Sequence, residues 1–262
     1  MDLKTQAITD VSQGLPHNSV YSIIRDRRGM IYAGTFNGLA RWNFSANKFE
    51  SVALRIPDSD KRNLFVNCLM ESVDGNSIFI GTEGKLLQFS PSTEVCSEVN
   101  GFAGLTIKCL THTPSGLIIV GTDEGVYELV GDTVRRHCHD SRNGKSLSND
   151  EIWCLHCDNN SLIWAGHDKG FSITSISNQI HSVQVSSVFN TGMGNDIHAI
   201  LRDSKGVLWL GGTNGVIRIS DNDQQWYRHS AQPHALSHNR VRAITEDARH
   251  NVWFATDGGL NR

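Results

Sequence analysis

Ile31-Tyr32-Ala33-Gly34-Thr35 is a short apolar run closed by Gly-Thr, and the chain writes a version of it five more times. The others are Ile78-Phe79-Ile80-Gly81-Thr82, Ile118-Ile119-Val120-Gly121-Thr122, Ile163-Trp164-Ala165-Gly166-His167, Leu208-Trp209-Leu210-Gly211-Gly212 and Val252-Trp253-Phe254-Ala255-Thr256. The fourth residue falls at 34, 81, 121, 166, 211 and 255, in steps of 47, 40, 45, 45 and 44. Repeats of roughly 40–50 residues holding several strands each are the sequence form of propeller blades.

Working outward, each copy is preceded by a strand: Val20-Tyr21-Ser22-Ile23-Ile24, Val66-Asn67-Cys68-Leu69-Met70, Ile107-Lys108-Cys109-Leu110-Thr111, Ile152-Trp153-Cys154-Leu155-His156, Ile197-His198-Ala199-Ile200-Leu201 and Val241-Arg242-Ala243-Ile244-Thr245. Its first, third and fourth places are apolar or small throughout, which predicts an innermost strand buried on both faces. A turn follows, such as Asp26-Arg27-Arg28-Gly29 or Asp203-Ser204-Lys205-Gly206, whose aspartate is read as a turn-former satisfying local amides. A second turn ends in Gly38, Gly84, Gly125, Gly170, Gly215 or Gly259, ahead of a third strand. Weaker fourth strands are expected at 48–52, 95–99, 134–138, 180–183 and 226–229, where apolar and polar residues alternate as on an outer edge.

The sixth unit has no such strand of its own, and Lys4-Thr5-Gln6-Ala7-Ile8-Thr9 is expected to supply it and close a ring. The expectation is therefore an all-β, six-bladed propeller of four-stranded blades forming one domain over 1–262. Its blades fall near 14–54, 62–99, 104–138, 148–184, 194–229 and 237–262 plus 4–9.

Composition narrows the function classes. With 24 Lys and Arg against 27 Asp and Glu the formal charge is −3, and neither sign is gathered into a block, so a nucleic-acid partner is not expected. No run has the roughly 18 apolar residues needed to cross a bilayer, and the first residues lack the apolar core of a secretory signal. Of six cysteines, Cys68, Cys109 and Cys154 occupy one place in three successive repeats, where the others have Ser22, Ala199 and Ala243. Small size is the shared property, so these thiols are expected to pack as small apolar groups. Cys154 and Cys157, three apart on a strand, point to opposite faces and make no metal or redox pair.

Side chains that vary inside a repeated frame are where a ligand would be read. One such set is the second place of the inner strand, Tyr21, Asn67, Lys108, Trp153, His198 and Arg242. Another follows the Gly-Thr motif: Phe36, Asn37, Glu83, Asp123, Glu124, His167, Asp168, Thr213, Asn214 and Asp257. Together they offer aromatic platforms and mixed hydrogen-bonding groups, a composition suited to sugars or other polar small molecules. His167 stands where other blades have Thr and, with Asp168, is the better functional candidate among the histidines. His137, His139 and Asp140 lie in or after an outer strand, where exposure alone explains them.

The pattern Gly-Leu-Pro-x-Asn-x-Val-x-x-Ile, then Asp-x-x-Gly-x-Ile-Trp-x-Gly-Thr-x-x-Gly-Leu, is best written at 14–39 and 236–260. It resembles the two-component regulator propeller repeat. The resemblance implies the extracytoplasmic sensor portion of a bacterial hybrid two-component or related receptor, where such propellers are often paired and commonly seven-bladed. It implies a periplasmic location if the chain is part of a sensor, against a cytoplasmic one if Met1 is the native start. The expected partner is a small molecule or oligosaccharide, with a second propeller or a receptor dimer partner alongside, and no cofactor or metal.

Two other classes stay open. Similar propellers include a streptogramin-inactivating lyase and metal-dependent gluconolactonase-like hydrolases, for which His167, Glu83, Asp123 and Asp168 form the one plausible cluster. A protein-binding scaffold would instead use one flat face. No catalytic motif is seen, and fold alone does not choose among the three.

Overall fold

The computed structural model describes residues 11–54, 64–175, 181–183, 195–221 and 223–262. The strand expected at 4–9, with its pairing in the sixth unit, lies outside them. The chain is all-β and falls into two compact units, Met1–Ile107 and Lys108–Arg262. Among the described residues no helix is long and apolar enough to cross a membrane.

The first unit holds two antiparallel four-stranded sheets. One is β1 (Val20–Arg25), β2 (Ile31–Thr35), β3 (Gly38–Asn43) and β4 (Lys48–Val52), and the next is β5 (Val66–Glu71), β6 (Ile78–Thr82), β7 (Leu86–Ser90) and β8 (Val95–Glu98). The strand β9 (Ile107–His112) begins at the unit boundary and forms a sheet in which β10 (Ile118–Thr122), β11 (Gly125–Val130) and β12 (Thr133–His137) follow it in order. The second unit continues with β13 (Ile152–Cys157), β14 (Leu162–His167), β15 (Gly170–Ser175) and β16 (His181–Val183). Next come β17 (Ile197–Arg202), β18 (Leu208–Gly212), β19 (Gly215–Ser220) and β20 (Asp223–Tyr227). Last are β21 (Val241–Glu246), β22 (Val252–Thr256) and β23 (Gly259–Asn261), three strands among the described residues. Six such meanders are the blades of a β-propeller.

One strand departs from expectation. Apolar signal placed the last outer strand at 226–229, whereas β20 begins at Asp223, because Ser220 pairs with Asp223 across a tight hairpin and sets the register before any apolar residue appears.

Why the motif needs glycine is a matter of distance. A Cβ on Gly34 would lie 2.5 Å from Val66 Cγ1, one on Gly81 2.7 Å from Ile107, one on Gly121 2.9 Å from Ile152, and one on Gly211 2.8 Å from Val241. Each of these residues opens the inner strand of the next sheet, and each is fully buried. The glycine thus admits the neighbouring blade. It also makes room for the cysteines: a Cβ on Gly81, Gly121 or Gly166 would meet Cys68, Cys109 or Cys154 Sγ at 2.4 to 2.5 Å. Burial pushes the Cys68 and Cys154 thiols up to about 12, so they pack as small neutral groups.

The first and last sheets depart from the expectation of two buried faces, and in the last the third-place Ala243 is exposed. Val20 follows no such glycine in the described chain and is 37% exposed, and Ile23 is 63% exposed.

The turn aspartates do what the sequence reading assigns them, and one thing more. Asp203 Oδ1 accepts the Lys205 and Val207 amides at 3.0 and 2.8 Å, while Oδ2 accepts the Trp209 indole N–H at 2.9 Å. Asp158 with Trp164 and Asp247 with Trp253 repeat the clasp at 3.2 and 2.8 Å. Where the third blade has Thr113 in place of Asp, Ile119 stands in place of the indole, so donor and acceptor are exchanged together.

The close approach at the motif glycine makes a direct prediction. Gly121→Ala should lower the free energy of unfolding in urea by about 1–3 kcal/mol through overpacking. Cys109→Ala in the same background should recover part of that loss, because it removes the atom closest to the new methyl. An unfolding midpoint unchanged by Gly121→Ala would show that the contact is not tight.

Candidate functional site

The variable second place of the inner strand is set apart by a break in pairing. Val20 pairs with Thr35 and Ser22 with Gly34, so Tyr21 between them has no partner. The same one-residue shift falls at Asn67, Trp153, His198 and Arg242. A bulge adds a residue on one strand and re-aims its side chain. It lets the first and third places both face neighbouring blades while the second is free to differ.

In the second unit these side chains meet. Lys108 Nζ lies 3.6 Å from the centroid of the Trp153 ring and is ion-paired with Glu151. His198 stacks on Trp153 at 5.4 Å and 28°. Trp153 is thus flanked by residues from the sheets before and after its own, and its indole N–H donates to Asp168 Oδ1 at 2.5 Å. In the last sheet Arg242 grips Asp257 through two bonds of 2.6 and 3.2 Å. Trp153 with Asp168 and Arg242 with Asp257 are both pairs fifteen residues apart, joining the bulge to the turn after the Gly-Thr position. Burial lowers the His198 pKa, and the Arg242 charge lowers it further, against Asp196 and Asp168. A largely neutral imidazole is therefore stacked on the indole at neutral pH, within the field of the Arg242 charge.

In the first unit the predicted residues behave differently. Tyr21 packs edge-on to Phe65 at 4.4 Å, and Phe65 lies 5.2 Å from Phe36. Asn67 donates to the Ile107 carbonyl at 3.0 Å, a bond that fixes one blade against the next. Glu83 and Asn37 are exposed, Glu83 forming an isolated bridge with Thr106. In the second unit Asp123 is exposed as well.

His167 has no exposed surface. Its Nδ1 accepts the Lys169 amide at 3.2 Å, and Nε2 lies 3.1 Å from Ser148 Oγ and 3.0 Å from Ser172 Oγ. Thr35 and Thr122 accept the amide two residues on in the same way, from Asn37 and Glu124. His167 is therefore the turn-capping residue of its blade, with a ring in place of a hydroxyl. Its difference from Thr misled the sequence reading because hydrogen-bond role, not residue type, is what repeats. His139 has a similar explanation: its Nδ1 is 2.6 Å from the Leu147 carbonyl, as His229 Nδ1 is 2.8 Å from that of Leu236.

The sequence reading also missed a row. The residue before the opening Val or Ile reads Ser19, Phe65, Thr106, Glu151, Asp196 and Arg240. Glu151 pairs with Lys108, and Asp196 accepts from Thr213 Oγ1 at 3.2 Å. Its variability was visible, but nothing in one strand's pattern says that the preceding residue shares the bulge's surface. A groove of about 940 Å³ lies elsewhere in the second unit, lined by Trp209, Trp226, Arg228, His250, Phe254 and Leu260 among others. None of the predicted site residues lines it. Among the described residues no group of three or more His, Cys, Asp or Glu is placed to hold a metal ion.

Bulged inner strands carrying a variable row on glycine-locked blades define the class: a β-propeller built from one repeated unit. A family model described as two component regulator propeller matches residues 14–37, 191–214 and 235–258. Two structures of the extracellular domain of BT4673 from B. thetaiotaomicron, described as a candidate one component system and a candidate hybrid two component system, are 41% and 40% identical over 97% of this chain. Their TM-scores are 0.59 and 0.60. The chain belongs to the two-component regulator propeller repeat family. It spans 35% of the length of those two structures. Virginiamycin B lyase from Staphylococcus aureus, 17% identical over 92% of this chain and 78% of its own, shares the fold with a TM-score of 0.68. No curated protein matches the chain.

Burial of His167 carries a pH signature. Desolvation lowers its pKa to about 4, with the Lys169 charge acting the same way and Asp168 opposing. The unfolded chain takes up this proton near pH 6.5 and the folded one only near 4. The contribution is whole above 6.5 and is lost as pH falls toward 4, by about 3 kcal/mol in all. His167→Thr, which restores the capping residue of other blades, should flatten the decline of the urea midpoint between pH 7 and 5. Parallel profiles for the two proteins would remove His167 as its source.

Proposed function

We propose that the chain is the ligand-reading propeller of a two-component-type sensor, placed outside the cytoplasm, and that it recognises a polar small molecule such as a carbohydrate. The row formed by Lys108, Trp153 and His198 carries this reading: half-buried aromatic and imidazole rings are interleaved with an ammonium group and the carboxylates of Glu151 and Asp168. Such a row offers both hydrogen-bond donors and acceptors beside apolar ring edges, which is how a polyhydroxylated ligand is held against water. Kinship with the extracellular domain of a candidate two-component protein supports the sensor setting and the location.

The enzyme reading has less support. His167, which a lyase or metal-dependent hydrolase would recruit, is enclosed and hydrogen-bonded within its blade, and Asp168 is held by the Trp153 indole. Likeness to virginiamycin B lyase at 17% identity concerns the fold alone.

A thermal-shift series with neutral and acidic oligosaccharides, each with and without magnesium or calcium, tests the proposal. A bound ligand raises the melting temperature by mass action. At least one sugar should do so without metal, and for at least one such sugar Trp153→Leu, compared with its own unliganded melt, should reduce the rise. Stabilisation by metal alone would favour the enzyme reading. No response to any sugar would overturn the ligand class and favour a protein-binding scaffold.

A further inference from the structure

The first unit carries a set of rings distinct in chemistry from the charged row. His17 lies 5.1 Å from Phe36, Phe36 5.2 Å from Phe65, and Phe65 4.4 Å from Tyr21. Three sequence-distant pieces build it: the loop entering β1 together with the second residue of β1, the turn between β2 and β3, and the residue just before β5. Phe36 and Tyr21 remain 40% and 52% exposed. Aromatic side chains that cluster this closely and still face water are poorly explained by packing of the blade, since the blade's own core lies at Tyr32, Leu39, Val66 and Phe89.

We infer that His17, Tyr21, Phe36 and Phe65 form a stacking platform for an uncharged pyranose ring. Two features select this occupant. The rings expose apolar surface that suits the C–H face of a sugar. The polar groups at the edge are an imidazole and a phenol hydroxyl, with no carboxylate, ammonium or guanidinium among the four side chains. His17 Nδ1 accepts the Ser19 amide at 3.0 Å, which leaves its Nε2–H as one donor of the platform, and the Tyr21 hydroxyl is another. A carboxylate or ammonium on the ligand would find no lysine, arginine or carboxylate partner among these four side chains and would lose hydration on docking.

The inference rests on the chain being a sugar-reading module, but on different residues from the Lys108 row, so the two can fail separately. Saturation-transfer NMR on the full chain would use maltotriose, cellotriose and xylotriose, with a galacturonate trimer and a tryptophan-containing tripeptide for comparison. A neutral trimer should receive saturation from aromatic protons. Tyr21→Leu and Phe36→Leu should each weaken its binding roughly ten-fold, Phe36→Tyr should restore it, and Trp153→Leu should leave it in place. Both leucine variants alter exposed positions, and unchanged melting temperatures would establish that they fold.

Preference for the galacturonate trimer or the peptide, or saturation of no trimer, would overturn the platform. So would a neutral trimer whose binding ignores the leucine variants and is lost in Trp153→Leu, which would leave the sensor proposal standing.

Discussion

The distance between a motif glycine and the β-branched residue of the next blade is the constraint on which the rest depends. At 2.5 to 2.9 Å from an absent Cβ, Val66, Ile107, Ile152 and Val241 occupy space that any other residue would fill. That contact brings neighbouring sheets close enough to bury Val66, Ile107, Ile152 and Val241 completely, and in the strands of Asn67 and His198 the bulge lies directly across from the motif glycine of the same sheet. In the last copy the place is taken by Ala255.

A second constraint lies at the turns. Asp158, Asp203 and Asp247 each join a backbone turn to an indole six residues on, and a blade lacking the aspartate also lacks the tryptophan. His167 shows the same logic at the other turn, where the bond to the amide two residues on is kept while the group that makes it changes. The repeat is conserved within this chain as a set of bonds more than as a set of letters.

That difference explains what could be read in advance. Strand order, turn glycines and buried thiols followed from period and size, because a residue such as Gly38 at φ +112° or Cys68 against Gly81 leaves a signature in its own type. The bulge did not, since a strand of Val-Tyr-Ser-Ile-Ile has the same composition whether or not one residue is skipped in pairing. His167 was picked out for being different, and its difference proved to be a substitution within a structural role. Phe65 and Glu151 were passed over because they adjoin a buried residue, and only pairing across blades turns them toward Tyr21 and Lys108.

Pairs fifteen residues apart, such as Trp153 with Asp168 and Arg242 with Asp257, lie wholly within one blade and touch none of its glycine contacts. The two positions of each pair can therefore vary together. A change at one of these positions can be answered by a change at the other within the same blade, whereas Trp153 also meets Lys108 and His198 across blades, so that its neighbours must change with it.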